Sequence, residues 1–406
     1  MTLERVLVIM SCLLLSPFSW QEHPYLDFNK AGAGFYGDGR ELPDPVGLKA
    51  VLIGVLGPAR TPEGLQERTA IQIALEEANQ RGGYRSPTPA PPEKETLKAR
   101  EPGNQGIPFE MVFREDDGPW GVAAKQVVQL AYGEKVWAII GSLDGLHTHV
   151  AELVVSKAWV PVISPSAVDA SITYANVPWV FRVAPSDSRQ AEAILSIAEK
   201  RGYKHLLVAS EMERDAQTGW KRLSEAARRR QFPIDLHLEY SSSNPEEIVP
   251  RIASNPSDAL VVWGKSHPAL RLLLALRKAG VRLPVLGCST LATGEMGASA
   301  AQLGDVTVAS LCSLDKEGKE FAGFKAKFAQ RTGQPPSVIA LYSYDVARLV
   351  IEAIHAGGLN RARIRDRLAE AKFEGLTGSI TFNMLGGNDA APVLLQLKRS
   401  GWVRLE

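Results

Sequence analysis

The strongest constraint on this chain is an alternation of strand-like and helix-like segments that runs from Lys49, pauses near Arg182, and resumes. The first run reads as strand Ala50–Leu56, helix Gly64–Gln80, strand Phe109–Arg114, helix Ala123–Tyr132, strand Val136–Ile140, helix Val150–Ala158 and strand Val160–Ile163. In the first helix Ile71, Leu75 and Ala78 fall at helical spacing, and Gly82-Gly83 closes it. The second run reads as helix Arg189–Arg201, strand His205–Ala209, helix Gly219–Arg230, strand Ile234–Tyr240, helix Glu246–Ser254, strand Ala259–Trp263 and helix Pro268–Ala279. Strands around Pro284 and Val306 follow, then helices Glu320–Arg331, Ile339–Ala356 and Ile364–Ala371. The end, Gly378–Phe382 and Val393–Arg404, reads as β-strands joined through Gly386-Gly387-Asn388-Asp389. Strands that alternate with helices pair in parallel and are covered on both faces. Two such runs predict an α/β chain of two doubly wound parallel-sheet lobes. A length of 406 residues exceeds one typical domain, and 45% hydrophobic content supplies two cores.

Ligands of open α/β sheets sit outside the C-terminal ends of the strands. Val136–Ile140 ends in Gly141-Ser142, and Val160–Ile163 ends in Ser164-Pro165-Ser166-Ala167. Helix starts that follow such strands offer N–H groups suited to an anion. The first lobe offers Ser142, Thr148, Ser164 and Ser166 as hydroxyls, Ala167 beside them, Asp144 and His147 as polar lining, and Trp120 as a cover for an apolar ligand. The second lobe offers Thr218, Lys265 and Ser289, from the stretches Glu211–Thr218, Lys265–His267 and Ser289–Thr290. A serine at a strand end serves equally well as a cap or turn residue. A tryptophan serves equally well in the core.

Other functions lose support. A net charge of +1 gives no reason to expect nucleic acid or an anionic membrane as partner. Arg228-Arg229-Arg230 reads as a solvated helix end. Gly32-Ala33-Gly34-Phe35-Tyr36-Gly37 matches a dinucleotide fingerprint in form, but neither flank reads as the required strand or helix. His147 and His149 stand two apart and point to different sides of a helix, so with Asp144 they make a poor metal site. No cofactor is expected. The sequence has no Gly-x-Ser-x-Gly, no His-Glu-x-x-His and no cysteine set with zinc spacing, which leaves a hydrolase as a remote alternative and the chain as no enzyme.

Residues 1–20 read as a signal peptide: Arg5, the apolar run Val6–Leu15, then Ser16-Pro17-Phe18-Ser19, with cleavage near Ser19 or Trp20. A lipidation box at Cys12 is the less favoured reading. The mature protein is therefore expected in the periplasm or another extracytoplasmic space. Residues 21–45 read as an irregular arm and 86–106 as a proline-rich solvent loop. Cys288 and Cys312 end two apolar runs. If those strands are neighbours a disulfide is geometrically reasonable, and two buried thiols are the alternative.

The ordered set of motifs resembles the type I periplasmic solute-binding proteins of ABC importers, in the leucine/isoleucine/valine-binding (receptor ligand-binding) family. The resemblance runs from about Val46 to the C-terminus. Its marks are Ile53-Gly54-Val55-Leu56-Gly57-Pro58, Ala74-Leu75-Glu76-Glu77-Ala78-Asn79 with Gly82-Gly83, Glu115-Asp116-Asp117, Ile140-Gly141-Ser142, Val160-Pro161-Val162-Ile163-Ser164-Pro165-Ser166-Ala167, Phe181-Arg182-Val183-Ala184-Pro185-Ser186-Asp187 and Tyr344-Asp345-Val346. The resemblance implies lobe I from 46–181 plus 315–375 and lobe II from 182–314 plus 376–406. Crossovers are then expected near Arg182, Leu314 and Gly375. It implies a monomer that closes on a small-molecule ligand (an amino acid, organic acid, amide or related metabolite) and delivers it to an ABC permease in the membrane. A sensor that signals to a partner protein is the alternative. The chain departs from amino-acid binders at three places. Asp144-Gly145-Leu146-His147 stands where they are serine-rich, Val168 replaces a hydroxyl residue, and Cys288-Ser289 stands where they keep an acid. A free ammonium would lack its usual partner there, which argues against a branched-chain amino acid.

Overall fold

Strand β1, Val51–Gly57, is buried at six of its seven residues, as a strand covered on both faces must be. It lies in a parallel sheet of order β2-β1-β3-β4-β5, with β2 at Phe109–Glu115, β3 at Ala138–Gly141, β4 at Val162–Ser164 and β5 at Val180–Arg182. The helices between are α1 (Pro62–Gln80), α2 (Trp120–Val128, ending in a π turn at Gln129–Gly133), α3 (Gly145–Ala158) and the short α4 (Ser171–Tyr174). The structure, a computed structural model, describes residues 40–86, 106–118, 120–314 and 318–405. The expected signal peptide, Cys12, the glycine motif at 32–37 and nearly all of the proline-rich loop lie outside the described residues.

The second sheet has the order β14-β13-β10-β9-β8-β6-β7. Its parallel part is β6 (Leu206–Glu211), β7 (Ile234–Tyr240), β8 (Ala259–Trp263), β9 (Val285–Gly287) and β10 (Val306–Ser310). Helices α5 (Asp187–Lys200), α6 (Arg214–Arg230), α7 (Val249–Ala253), α8 (Ser266–Lys278), α9 (Gly294–Ala298) and α10 (Ala300–Leu303) accompany it. Strand β13 (Val393–Lys398) pairs antiparallel with β10, and β14 (Gly401–Arg404) pairs antiparallel with β13. Each sheet has its own core. Ile53, Val55 and Ile71 pack with Phe324, Leu341 and Val350 in lobe I. Leu195, Leu207, Val261, Leu272 and Val308 pack together in lobe II.

The chain passes between the lobes three times. Helices α11 (Lys319–Thr332), α12 (Val338–Gly357) and α13 (Arg361–Ala369) return to lobe I after β10. The hairpin of β11 (Lys372–Gly375) and β12 (Gly378–Thr381) stays there too, with Phe373, Leu376 and Ile380 in the lobe I core. Asp345 of α12 fixes its turn by accepting from the amides of Leu376 and Thr377. The third passage therefore follows Thr381 rather than Gly375. It runs beside the first: the Arg182 amide donates to Gly386 O at 3.0 Å, and the Asn388 amide donates to Arg182 O at 2.9 Å.

Of the two readings of the cysteines, the buried thiols hold and the disulfide does not. Strands β9 and β10 are neighbours, but Cys288 and Cys312 are both thiols and not a disulfide. Gly287 faces Val308, so Cys312 lies three residues beyond the point opposite Cys288, roughly 10 Å along the strand direction. Cys288 packs in the lobe II core and Cys312 in the lobe I core. The C-terminal strands also differ from expectation. Gly378–Thr381 belongs to the lobe I hairpin, and the run after Val393 folds back at Arg399-Ser400 into two strands. Among the described residues, no helix is long and apolar enough to cross a membrane.

Candidate functional site

The C-terminal ends of β1 to β4 form the floor of lobe I. Ser142 and Ser164, both fully buried, hold those ends together. The Ser142 hydroxyl donates to Asp116 at the end of β2. The Ser164 hydroxyl donates to Ser142 O at 2.6 Å and accepts from the Ala167 amide at 3.1 Å. The Ser166 hydroxyl donates to Leu143 O at 3.0 Å, and that of Thr148 donates to Asp144 O at 2.6 Å. The hydroxyls expected to reach a ligand thus direct their protons into the lobe's own loops. Burial pushes Asp116 up to about 6 although Ser142 draws it down. Behind it Glu67 of α1 is fully buried with neither carboxyl oxygen hydrogen-bonded. Burial, then the Asp116 charge, raises its pKa well above the ordinary value.

The rim of lobe I is ionic. Asp144 caps α3 by accepting from the His147 amide at 2.9 Å, and His147 Nδ1 meets its other oxygen at 2.7 Å. Desolvation raises the Asp144 carboxyl, but its bonds from His147 outweigh this and hold it below the ordinary range. His149, one turn-face away, contacts Glu152 at 2.8 Å, Ser171 at 2.9 Å and Asp169 at 3.5 Å. Hydrogen bonding to Asp169, then to Glu152, raises His149 to about 9. Asp169 is buried; that burial is outweighed by His149, Ser171 and Arg214, which hold it well below the usual carboxylate range. Among the described residues, no group of three or more His, Cys, Asp or Glu is arranged to hold a metal ion.

Lobe II presents its own strand ends. Glu211, fully buried at the end of β6, accepts from the Lys265 amide at 2.6 Å and from the Ser242 hydroxyl. The Lys265 ammonium turns outward to Glu213 at 2.8 Å. The Ser289 amide donates to Gln190 Oε1 of α5 at 2.8 Å. Thr218 lies one turn into α6, and its hydroxyl donates to Arg214 O at 3.0 Å.

The two lobes meet at the first turn of α6. Arg214 pairs with Asp169 at 2.9 Å, and the Gly145 amide donates to Asp215 Oδ2 at 3.2 Å. Arg222 lies over the Tyr174 ring at 5.5 Å. Partial burial, then the nearby Asp144 charge, raises the Asp215 carboxyl above its ordinary value.

The structure thus gathers Ser142, Thr148, Ser164, Ser166 and Ala167 in the lobe I floor, and Asp144 and His147 on its rim. Lys265 and Ser289 follow β8 and β9 in the opposite wall, Lys265 as the cap of α8 and Ser289 at the start of a short 3-10 turn. The side chain of Trp120 lies outside the described residues. Sequence reading singled out none of Asp116, Asp169, Glu211, Arg214 and Asp215, although Glu211, Arg214 and Asp215 lie in the cleft stretch Glu211–Thr218 and Asp169 ends the stretch Ser164–Asp169. Asp116 directly follows β2 and Glu211 ends β6, and that position made both findable. Asp215 was not, because its partner is in the other lobe. A cavity of about 310 Å³ lies elsewhere, beside the third passage, lined by Val177, Phe181, Arg365, Phe382 and Met384 among others. The strand ends, not that cavity, carry the convergent polar groups.

Comparison with known proteins agrees with this architecture. Residues 50–401 match the family model described as periplasmic binding protein. An ABC transporter substrate-binding protein from Desulfitobacterium hafniense, solved in complex with Leu, superposes with a TM-score of 0.72 at 18% identity, covering 88% of this chain and all of that one. A branched-chain amino acid transporter substrate-binding protein from Streptococcus pneumoniae, in complex with isoleucine, gives 0.71 at 22% identity, with 88% and 100% covered. A solute-binding protein of an ABC transporter from R. palustris, in complex with benzoate, gives 0.69 at 18% identity, with 88% and 95% covered. Glutamate receptor 2.2 of Arabidopsis thaliana is 22% identical over 255 residues, 59% of this chain. The chain spans only 27% of that receptor's length.

Proposed function

This chain belongs to the periplasmic binding protein family, and we propose that it captures a small polar organic solute between its lobes and delivers it to an ABC permease. The observation that carries this reading is the opposition of two sets of strand ends across one cleft, joined by three chain passages and by polar contacts at the rim. Such contacts break and reform more readily than a packed apolar interface, so closure on a solute is the expected motion. On this reading the protein works as a monomer outside the cytoplasm after removal of residues 1–20, and it returns its solute chemically unchanged.

A thermal-shift screen of residues 21–406 tests it, with amino acids, organic acids, amides, alcohols and aromatics as probes. A specific solute at one hundred times its Kd adds about 2.7 kcal/mol by mass action, enough to move the melting temperature by several degrees. No shift with any class would sink the reading. A sensor role is the second reading, suggested by the likeness to a plant glutamate receptor. Uptake of the labelled solute separates the two: a transport component's deletion abolishes uptake, whereas a sensor's deletion leaves it intact.

A further inference from the structure

The contact between Gly145 and Asp215 joins three independent features. The Gly145 amide opens α3, a helix of 14 residues, and so sits at the positive end of its dipole. Its partner is a carboxylate of the opposite lobe, at 3.2 Å. Position 145 also has no room for a side chain. A Cβ there would lie 2.8 Å from Asp169 Cβ, 2.9 Å from Arg214 Nη1 and 3.0 Å from Asp215 Oδ1. Gly145 does not have a positive φ, so the missing side chain serves close packing, against Asp169 of its own lobe and against Arg214 and Asp215 of α6, rather than a turn. The neighbouring donors are engaged as well: the hydroxyls of Ser142, Ser164, Ser166 and Thr148 all donate within lobe I. An acid entering this side of the cleft meets committed hydroxyls and a helix start already filled by a carboxylate.

We propose that Asp215 is an internal stand-in for a solute's acid group, which occupies the start of α3 from across the cleft and sets the protein against carboxylate solutes. This rests on the cleft being the solute site. To bind at α3 a solute carboxylate has to expel Asp215, and with it separate Arg214 from Asp169. A solute that carries an amide, a hydroxyl or a cationic nitrogen leaves that closure intact. Asp215 is thus a specificity residue that acts by exclusion, an unfavourable juxtaposition built against the wrong partner.

The test titrates sodium benzoate and L-leucine calorimetrically into the wild type, Asp215→Ala and Asp215→Asn, with melting curves to confirm that each variant folds. Freeing a helix-start donor for a charged acceptor is expected to tighten binding of at least one acid by about tenfold or more in Asp215→Ala, with Asp215→Asn between. Small-angle scattering without solute is expected to give a larger radius of gyration for Asp215→Ala than for the wild type. The proposal is overturned if the wild type binds the acids as tightly as the variants, if the variants bind neither acid, or if the radius is unchanged. Failure of solute capture itself has a different signature, the absence of any thermal shift with any solute class in wild type and variants alike.

Discussion

Lobe I and lobe II present the same architectural feature, a row of strand ends, and use it differently. In lobe I the row is stitched shut: Ser142, Ser164, Ser166 and Thr148 direct their hydroxyl protons to loops of the same lobe. In lobe II the row reaches outward. Arg214 and Asp215 contact the facing lobe, and the Lys265 ammonium turns toward solvent. A rigid floor faces a wall whose charged groups move with it. Residue type alone does not tell these apart, because a serine spent on its own backbone and a serine offered to a solute look alike in sequence.

The contrast breaks most easily at its stiffest point. Ser164→Ala leaves the buried Ala167 amide without its partner and the Ser142 carbonyl with only a long contact of 3.4 Å from the Thr148 hydroxyl. It is expected to lower unfolding free energy by about 2–3 kcal/mol, measured by urea denaturation. A cost under about half of that would mean the floor is not held as described. His149 gives the next largest effect. Its pKa in the folded protein is raised to about 9 from an ordinary 6.5. The stabilisation is therefore complete below pH 6.5 and lost as pH rises through 9. Allowing for partial exposure, about 1–2 kcal/mol is expected to disappear across that window, and His149→Gln should flatten the profile. A wild-type melting temperature independent of pH there contradicts the assignment. Arg214→Ala is expected to cost least, about 0.5 kcal/mol, because its side chain is 41% exposed and His149 and Ser171 still hold Asp169. Its mark is faster hydrogen exchange at the start of α3 with an almost unchanged melting temperature.

The fold was legible wherever apolar runs had clean borders. Ile234–Tyr240 and Ala259–Trp263 stand as read. Helix starts were read late, at Val150 for Gly145 and at Gly219 for Arg214. The missing turns are polar because they face the other lobe rather than a core, so hydrophobic periodicity does not mark them. Strand β5 has three residues and no alternation to detect. The cysteines show the same limit. Adjacency of β9 and β10 was foreseeable, but register was not, and register decides whether two thiols meet. At the site, the strand ends were readable and their donors' destinations were not, since a carbonyl acceptor such as Ser142 O has no signature of its own.

The return of the chain to β10 sets an order of synthesis. When a ribosome has made residue 314, lobe II holds five strands, and β10 is a bare edge. Its partner β13 arrives only after α11, α12, α13 and the β11–β12 hairpin have been delivered to lobe I. Neither lobe is therefore built from one continuous stretch of chain. The nascent protein carries an open sheet edge, a known route to aggregation, until β13 emerges. Chains cut after Thr381 should keep that edge for good and accumulate as insoluble material.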